Sequence, residues 1–170
     1  MPSLTPAGAA DGGAPKGGPG RGSPGRPILA AFDEGLSRQG ELCRDLEELA
    51  DSLPNRLDAH RALLVAGRLR ATLGEVHRFE EDRVFPALLG AQGGLGPVLD
   101  RLRAEHAEDE DAAGDLQEAL AAFAARRAGE RRRGPEAERI GYMLRSLFTG
   151  LRRHVAHDRE VLRPVLRDAG

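Results

Sequence analysis

The sequence predicts an all-α fold, an up-down-up-down antiparallel four-helix bundle that follows a disordered N-terminal tail. Three observations lead to this prediction. Apolar residues recur with a helical period in four long segments, breakers rich in glycine and proline separate these segments, and no segment shows strand-like alternation. Short loops between long amphipathic helices make consecutive helices antiparallel neighbours, which is the arrangement of such a bundle.

Residues 1–27 form the predicted tail. They consist mainly of Gly, Pro, Ala and Ser and contain a single Leu, so they bury too little apolar surface to offset the entropy lost on ordering. Because the segment has no continuous apolar core, we do not expect it to be a secretory signal peptide. Residues 28–170 then make one domain, which is long enough to bury a hydrophobic core.

The four helices are predicted at about residues 28–52, 56–89, 97–126 and 135–167. Asn55 is the expected N-cap of the second helix, and the glycine-rich loop 90–97 ends it. Pro86 and Pro164 fall late in the second and fourth helices. Because proline cannot donate a backbone hydrogen bond, we expect both to kink or loosen these helix ends.

Composition excludes several classes of function. The chain has a formal net charge of −2 at pH 7, and its one basic cluster, residues 126–134, is typical of a solvated loop. We therefore expect no nucleic-acid partner. No apolar run approaches the roughly 18 residues of a membrane span, so we expect no membrane partner either. Cys43 is the only cysteine, which excludes a disulfide framework and a cysteine-ligated zinc site and favours a cytoplasmic location.

Three histidines are each followed, four residues later, by a carboxylate. These pairs are His77–Glu81, His106–Glu110 and His154–Asp158. Exposed helices often carry such pairs, because a protonated histidine attracts a carboxylate one turn away. All three pairs, however, lie on the apolar stripes that the helical period defines, so we expect them to be buried.

The three pairs also fall at one height in the predicted bundle. In an antiparallel helix pair, two residues are level when their numbers average to the middle of the connecting loop. His77 and His106 meet this condition for the glycine-rich loop, as do His106 and His154 for the basic loop. Such a buried layer is costly without a cation and becomes a ligand cage with one. Imidazole and carboxylate donors without thiolates suit iron, manganese or zinc, as two bridged ions or one octahedral ion.

Four stretches resemble the helices of the hemerythrin-like (HHE cation-binding) proteins. In chain order they are FDEGLSRQGELCRDLEELAD, HRFEEDRVFPALL, RLRAEHAEDEDAAGDL and HVAHDREVLRPVL, and the resemblance extends over about residues 28–167. That family forms a four-helix bundle around a non-heme, usually di-iron, centre that binds dioxygen or related small molecules.

The resemblance implies a role for each of the six residues. By this similarity, the histidine ligands are His77, His106 and His154. Glu81 and Asp158 would be the carboxylate ligands that bridge two iron ions, although the family usually has Glu at the second of these positions. Glu110 matches a third motif that only part of the family uses.

The first helix departs from the family pattern. The family normally places a histidine there, in a context like F-x-E-H, whereas this sequence has Gly35 at that position. His60 lies about 25 Å from the site along one helix and is expected to be solvated. Glu34 is predicted to point off the apolar stripe, and Gln39 lies on it one turn away but is a poor iron ligand. Water or an exogenous small molecule is then the simplest occupant of the coordination position that the missing histidine would fill.

Four further residues border the predicted site. We expect Glu80, Asp109 and Glu160 to be solvated or to support the site rather than to bind metal. A second register, in which His157 pairs with Glu160, stays open.

Three functions from different classes are compatible with these residues. The first is a non-heme di-iron protein that binds or senses dioxygen, peroxide or nitric oxide at an open coordination position. The alternative is a degenerate, metal-free or metal-poor bundle that serves as a structural or interaction module. A dedicated enzyme, such as a ferroxidase or a peroxide-consuming protein, has less support, because no substrate pocket, nucleophile or acid–base pair stands out beyond the metal ligands.

Overall fold

A computed structural model of the protein describes residues 25–126 and 135–169. Within these ranges every regular element is a helix, which confirms the predicted all-α class. Most of the predicted tail and most of the basic loop lie outside the described residues. None of the helices in the described ranges is long and apolar enough to cross a membrane.

The described residues form four long helices, two of which contain a π-helical turn. In chain order the elements are α1 (Gly25–Ser52), α2 (Ala59–Phe79), a π-turn (Glu80–Val84), α3 (Phe85–Ala91), a 3₁₀ turn (Gly93–Leu95), α4 (Gly96–Ala125), α5 (Glu136–His157), a π-turn (Asp158–Leu162) and α6 (Arg163–Asp168). We call α1 the first helix, α2 to α3 the second, α4 the third, and α5 to α6 the fourth. Each end of these four helices lies within three residues of its predicted position.

The second helix begins at a different cap from the predicted Asn55. Its N-cap is Asp58, whose carboxylate accepts hydrogen bonds from the backbone N–H groups of His60 and Arg61 at 2.9 and 3.2 Å. Aspartate is as good a cap as asparagine, and its negative charge also favours a helix N-terminus.

Ion pairs show that neighbouring helices are antiparallel. They are Arg38–Glu75 and Asp45–Arg68 between the first and second helices, and Asp33–Arg163 and Glu47–Arg152 between the first and fourth. In each set, residue numbers rise on one helix as they fall on the other. The third helix packs between the second and the fourth, so the four helices form the predicted up-down-up-down bundle.

The core consists of two hydrophobic clusters separated by a layer of polar side chains. Leu46 and Leu73 belong to one cluster, and Phe32 and Phe85 to the other. Between the two clusters, each helix contributes buried polar residues, and together these are Gln39, His77, Glu80, His106, His154 and Asp158. They are the only buried polar or charged residues within the described ranges, and we call this set the polar layer.

Candidate metal centre

Two π-helical turns bring carboxylates into the polar layer. In each turn, the peptide N–H that follows it donates to the carbonyl of its first residue, Glu80 or Asp158. Pro86 and Pro164 lie just beyond the two turns. In a regular α-helix a proline ring clashes with the carbonyl four residues earlier, and a widened turn accommodates it. The disturbance expected from the two prolines therefore takes the form of a π-turn, and each π-turn begins with a buried carboxylate.

Three imidazole rings lie together in the middle of the layer. The rings of His77 and His106 stack in parallel, with centroids 4.0 Å apart, and the His154 ring lies 5.0 Å from that of His106. Glu80 Oε2 lies 3.1 Å from Nε2 of His106 and 3.7 Å from Nε2 of His154. Asp158 Oδ2 lies 3.2 Å from the same His154 nitrogen. Three helices thus bring five potential ligands together, at the common height that the loop positions predict.

Only the pair on the fourth helix makes the contact that its four-residue spacing suggests. On the second and third helices the partners are exchanged. His77 Nδ1 lies 3.2 Å from Glu110 Oε1, and His106 Nδ1 lies 2.7 Å from Glu81 Oε1. Glu81 follows Glu80 in the π-turn, and its carboxylate reaches the outer nitrogen of a ring on the adjacent helix. Glu81 and Glu110 therefore contact histidines from the rim of the layer.

These two contacts bear on the tautomers of the rings. A carboxylate beside Nδ1 favours a ring proton on that nitrogen, which for His77 leaves the Nε2 lone pair facing the interior. His106 has a carboxylate beside each ring nitrogen, Glu81 at Nδ1 and Glu80 at Nε2, so a metal ion would take the place of a proton on Nε2. A carboxylate on the outer nitrogen is the usual support of a metal-binding histidine, because it fixes the tautomer and makes the inner nitrogen a stronger ligand.

Of the two environments expected for Glu80, solvated or supporting the site, the structure contradicts the solvated one. Its side chain is 1% exposed and lies between two histidines, whereas that of Glu81 is 35% exposed. The π-turn begins at Glu80, the residue that faces inward at this point of the second helix. A sequence signal for this exists, because Glu80 and Asp158 each stand six residues before a proline. An alignment of the second and fourth helices on His77 and His154 does not show this equivalence, because Glu80 comes three residues after its histidine and Asp158 comes four.

The other candidates lie outside the polar layer. Glu34, His60 and Glu160 are exposed, as predicted for the first two. His157 is only partly buried, so its possible pairing with Glu160 would form at the surface. Asp109 is partly buried in a cleft beside the layer.

Gly35 is buried against the second helix. A Cβ atom at this position would lie 3.2 Å from Cγ1 of Val76, the residue before His77. The first helix therefore approaches the second closely at the height of the layer. This explains why a residue without a side chain fits where the family pattern has a histidine.

Charges in the layer depend strongly on one another. Burial, together with the neighbouring His106, lowers the pKa of His77 to about 3. Burial also opposes the charge on His154, but its contacts with Asp158 and Glu80 outweigh this and raise its pKa to about 10. Burial opposes ionisation of Glu80 as well, yet His106 and His154 lower the pKa of its carboxyl group. Burial is likewise outweighed at His106, where contacts with Glu80 and Glu81 raise the pKa, and burial raises the pKa of Asp158. The layer therefore holds protons on buried groups, and a metal ion would replace them.

The donor set fits a metal ion. Several buried atoms of the layer have no hydrogen-bond partner, namely Nε2 of His77 and His106, both ring nitrogens of His154, and both carboxylate oxygens of Glu80 and Asp158. Such atoms are costly to bury unless a cation satisfies them. Two sets of three residues offer ligand atoms within 4.8 Å of one another, His77–His106–His154 and Glu80–His154–Asp158. The sets share His154, so the layer can hold one ion or two adjacent ones.

A cleft of about 700 Å³ between the third and fourth helices leads to the layer. Its lining includes Arg101, Glu105, Asp109, Arg153, His154 and His157. Glu105 Oε2 lies 3.9 Å from Nδ1 of His154. The cleft therefore connects the solvent with one of the three imidazoles.

Comparison with known proteins agrees with this geometry. The model of the hemerythrin HHE cation binding domain matches residues 37–166, a range that includes every residue of the polar layer. Among curated proteins and solved structures, no match was found. The matched range extends over most of the chain and over parts of all four helices, so the predicted resemblance is confirmed. The chain belongs to the hemerythrin HHE cation-binding domain family.

Proposed function

We propose that this protein binds two iron ions in its polar layer and offers them to a small ligand such as dioxygen, peroxide or nitric oxide. Membership of the family makes the chain a metal-binding hemerythrin-like protein. The identity of the metal, the number of ions and the small ligand are the proposal. One observation carries it, namely the group of buried imidazole and carboxylate atoms that lack hydrogen-bond partners.

Each inner residue has a role in the proposed centre. His77 and His106 would hold one ion through their inner nitrogens, and His154 and Asp158 would hold the other. Glu80 suits the bridge between them, because its carboxylate lies close to both His106 and His154. Iron would supply reversible electron transfer and a coordination position for the small ligand.

Glu81 and Glu110 have a different role in this proposal from the one that the resemblance implies. Both carboxylates contact Nδ1 of a histidine and are more than a third exposed. We expect them to orient His106 and His77 and to raise the basicity of these rings, rather than to bind the ions themselves.

The cleft between the third and fourth helices would admit the small ligand. It reaches His154, and its lining combines charged side chains such as Arg101 and Asp109 with apolar ones such as Val98. A cytoplasmic location belongs to the same proposal, since the one cysteine is a buried free thiol.

Elemental analysis tests the metal directly. Protein purified after expression in iron-replete medium should contain up to two iron ions per chain and show the near-ultraviolet absorption of a bridged ferric pair. Removing iron with a chelator should lower the melting temperature, because a ligand at about 100 times its Kd stabilises a fold by about 2.7 kcal/mol.

The same analysis can contradict the proposal in two ways. Protein without any transition metal would favour the alternative, a metal-free structural or interaction module. Stoichiometric manganese or zinc in place of iron would support a metal centre in the polar layer but would contradict iron as its metal.

A further inference from the structure

The first helix contributes one residue to the polar layer, Gln39. Its side chain is fully buried, and neither Oε1 nor Nε2 has a hydrogen-bond partner. Leu36 and Leu42 on either side belong to different hydrophobic clusters, so Gln39 lies in the gap between them. A buried amide without partners is costly, and an apolar residue would fill this position at no such cost.

Contacts with the fourth helix place Gln39 level with the inner carboxylate Asp158. The ion pairs Asp33–Arg163 and Glu47–Arg152 bracket this stretch of the first helix. Interpolation between the two pairs gives Asp158 as the residue opposite Gln39. Both oxygens of Asp158 also lack a hydrogen-bond partner.

Contacts with the second helix agree with this height. Arg38 pairs with Glu75 at 2.6 Å, and the backbone at Gly35 packs against Val76. Gln39 therefore lies beside the turn of the second helix that precedes His77. Gln39 is therefore level with Asp158 on the fourth helix and within about one turn of His77 on the second, so its side chain lies at the edge of the polar layer on that side.

We propose that Gln39 completes the metal centre from the first helix. An amide oxygen is a weaker iron ligand than imidazole or carboxylate, but the buried Oε1 would still supply a neutral oxygen ligand to a metal ion, and Nε2 would donate to Asp158. With a metal ion bound, the inner atoms of the other five residues would all be lone-pair donors to the metal, so an amide would add both a further oxygen ligand for the cation and an N–H donor for a carboxylate. This inference rests on the proposed function. It gives Gln39 the role of first-helix ligand, which in the family pattern belongs to the histidine that Gly35 replaces.

Replacing Gln39 by leucine separates a ligand from a merely structural residue. Ferrous iron would be bound anaerobically in competition with a chromophoric chelator, and the thermal unfolding of metal-free and iron-loaded protein would be compared. In Gln39→Leu we expect iron affinity to fall about 10-fold or more, a loss of about 1.4 kcal/mol or more. The metal-free protein should melt at the same temperature as wild type or higher.

Gln117→Leu is the matched control. Gln117 is a partly buried glutamine on the third helix, well away from the polar layer. The control makes the same chemical change and should leave iron affinity unaltered. Unchanged affinity in Gln39→Leu as well would overturn this inference and leave the proposed iron centre intact.

A second variant covers the case in which the leucine variant fails to fold. Gln39→Glu keeps the shape of the side chain and replaces a neutral oxygen by an anionic one, so iron affinity should rise. If Gln39 does not touch the metal, the added buried carboxylate should instead lower stability without raising affinity. Wild-type protein that binds no ferrous iron would overturn both this inference and the proposed function.

Discussion

The polar layer contains two kinds of carboxylate, which differ in their surroundings rather than in their chemistry. The inner pair, Glu80 and Asp158, is almost completely buried, and its oxygens have no hydrogen-bond partner. The outer pair, Glu81 and Glu110, is more than a third exposed, and each member contacts a histidine Nδ1. Adjacent residues on one helix therefore have opposite environments.

The difference shows which part of the layer requires a cation. Outer carboxylates are solvated and already paired, so they would be stable in a metal-free protein. Inner carboxylates have only buried histidines beside them, and burying charged groups in such a place costs several kcal/mol per ion unless geometry and hydrogen bonds are excellent. The inner pair is thus the part of the layer that a bound metal explains.

The largest effect should come from the histidine that touches both kinds of carboxylate. His106 contacts Glu80 through Nε2 and Glu81 through Nδ1. We expect His106→Leu to lower iron content to less than half of the wild-type value in elemental analysis, because both its ligand nitrogen and its link to Glu80 are lost. His60→Leu is the control, since His60 is exposed, and it should retain wild-type iron. Equal iron in the two variants would show that the layer is not the binding site.

Glu80→Gln and Glu81→Gln test the comparison itself. Loss of an orienting carboxylate typically weakens metal binding by about 10–100-fold, which is the range expected for Glu81→Gln. Glu80→Gln should weaken ferrous iron binding by more than this, because it removes a bridging ligand. Chelator competition measures both. The reverse order would restore the role for Glu81 that the family resemblance implies and would make Glu80 the supporting residue.

The smallest effect is expected for a carboxylate outside the layer. Asp33 accepts two hydrogen bonds from Arg163, at 2.6 and 2.8 Å, and these bonds lower its pKa. Asp33→Asn should lower the free energy of unfolding at pH 7 by less than about 1 kcal/mol, because both side chains are more than a third exposed. Iron content should not change.

This small effect has a definite pH dependence. A lowered pKa means that the ion pair stabilises the fold above the ordinary pKa of aspartate and that this stabilisation is lost as the pH falls through the lowered value. The difference in the free energy of unfolding between wild type and Asp33→Asn, measured with urea, should therefore become smaller in acid. A difference that grows on acidification would contradict the role of this pair.

Much of the fold was predictable because its signals are local. The apolar period and the glycine- and proline-rich breakers predict all four helices to within a few residues. The positions of the loops also predict that His77, His106 and His154 share one height, since antiparallel packing converts sequence distance into height. Only the cap of the second helix was misplaced, where Asn55 and Asp58 are chemically similar candidates.

The inner carboxylate of the second helix could not be read from an α-helical period. Residues three and four positions after His77 lie on the same face of a regular helix, so the period does not decide between Glu80 and Glu81, and the predicted ligand Glu81 lies at the rim. The exchanged contacts of His77 with Glu110 and of His106 with Glu81 were equally hidden. Sequence spacing describes neighbours on one helix, whereas these neighbours lie on two.

The sequence by itself determined the four helices, the family and the three histidines, because each of these follows from residue type and spacing along one chain. Tertiary structure decided which carboxylate faces inward and that Gln39 fills the layer from the first helix. These outcomes depend on the local turn of each helix and on how the four helices pack together, and no single helix contains that information. Packing of the four helices converts three histidine–carboxylate pairs into an inner donor set supported by an outer rim.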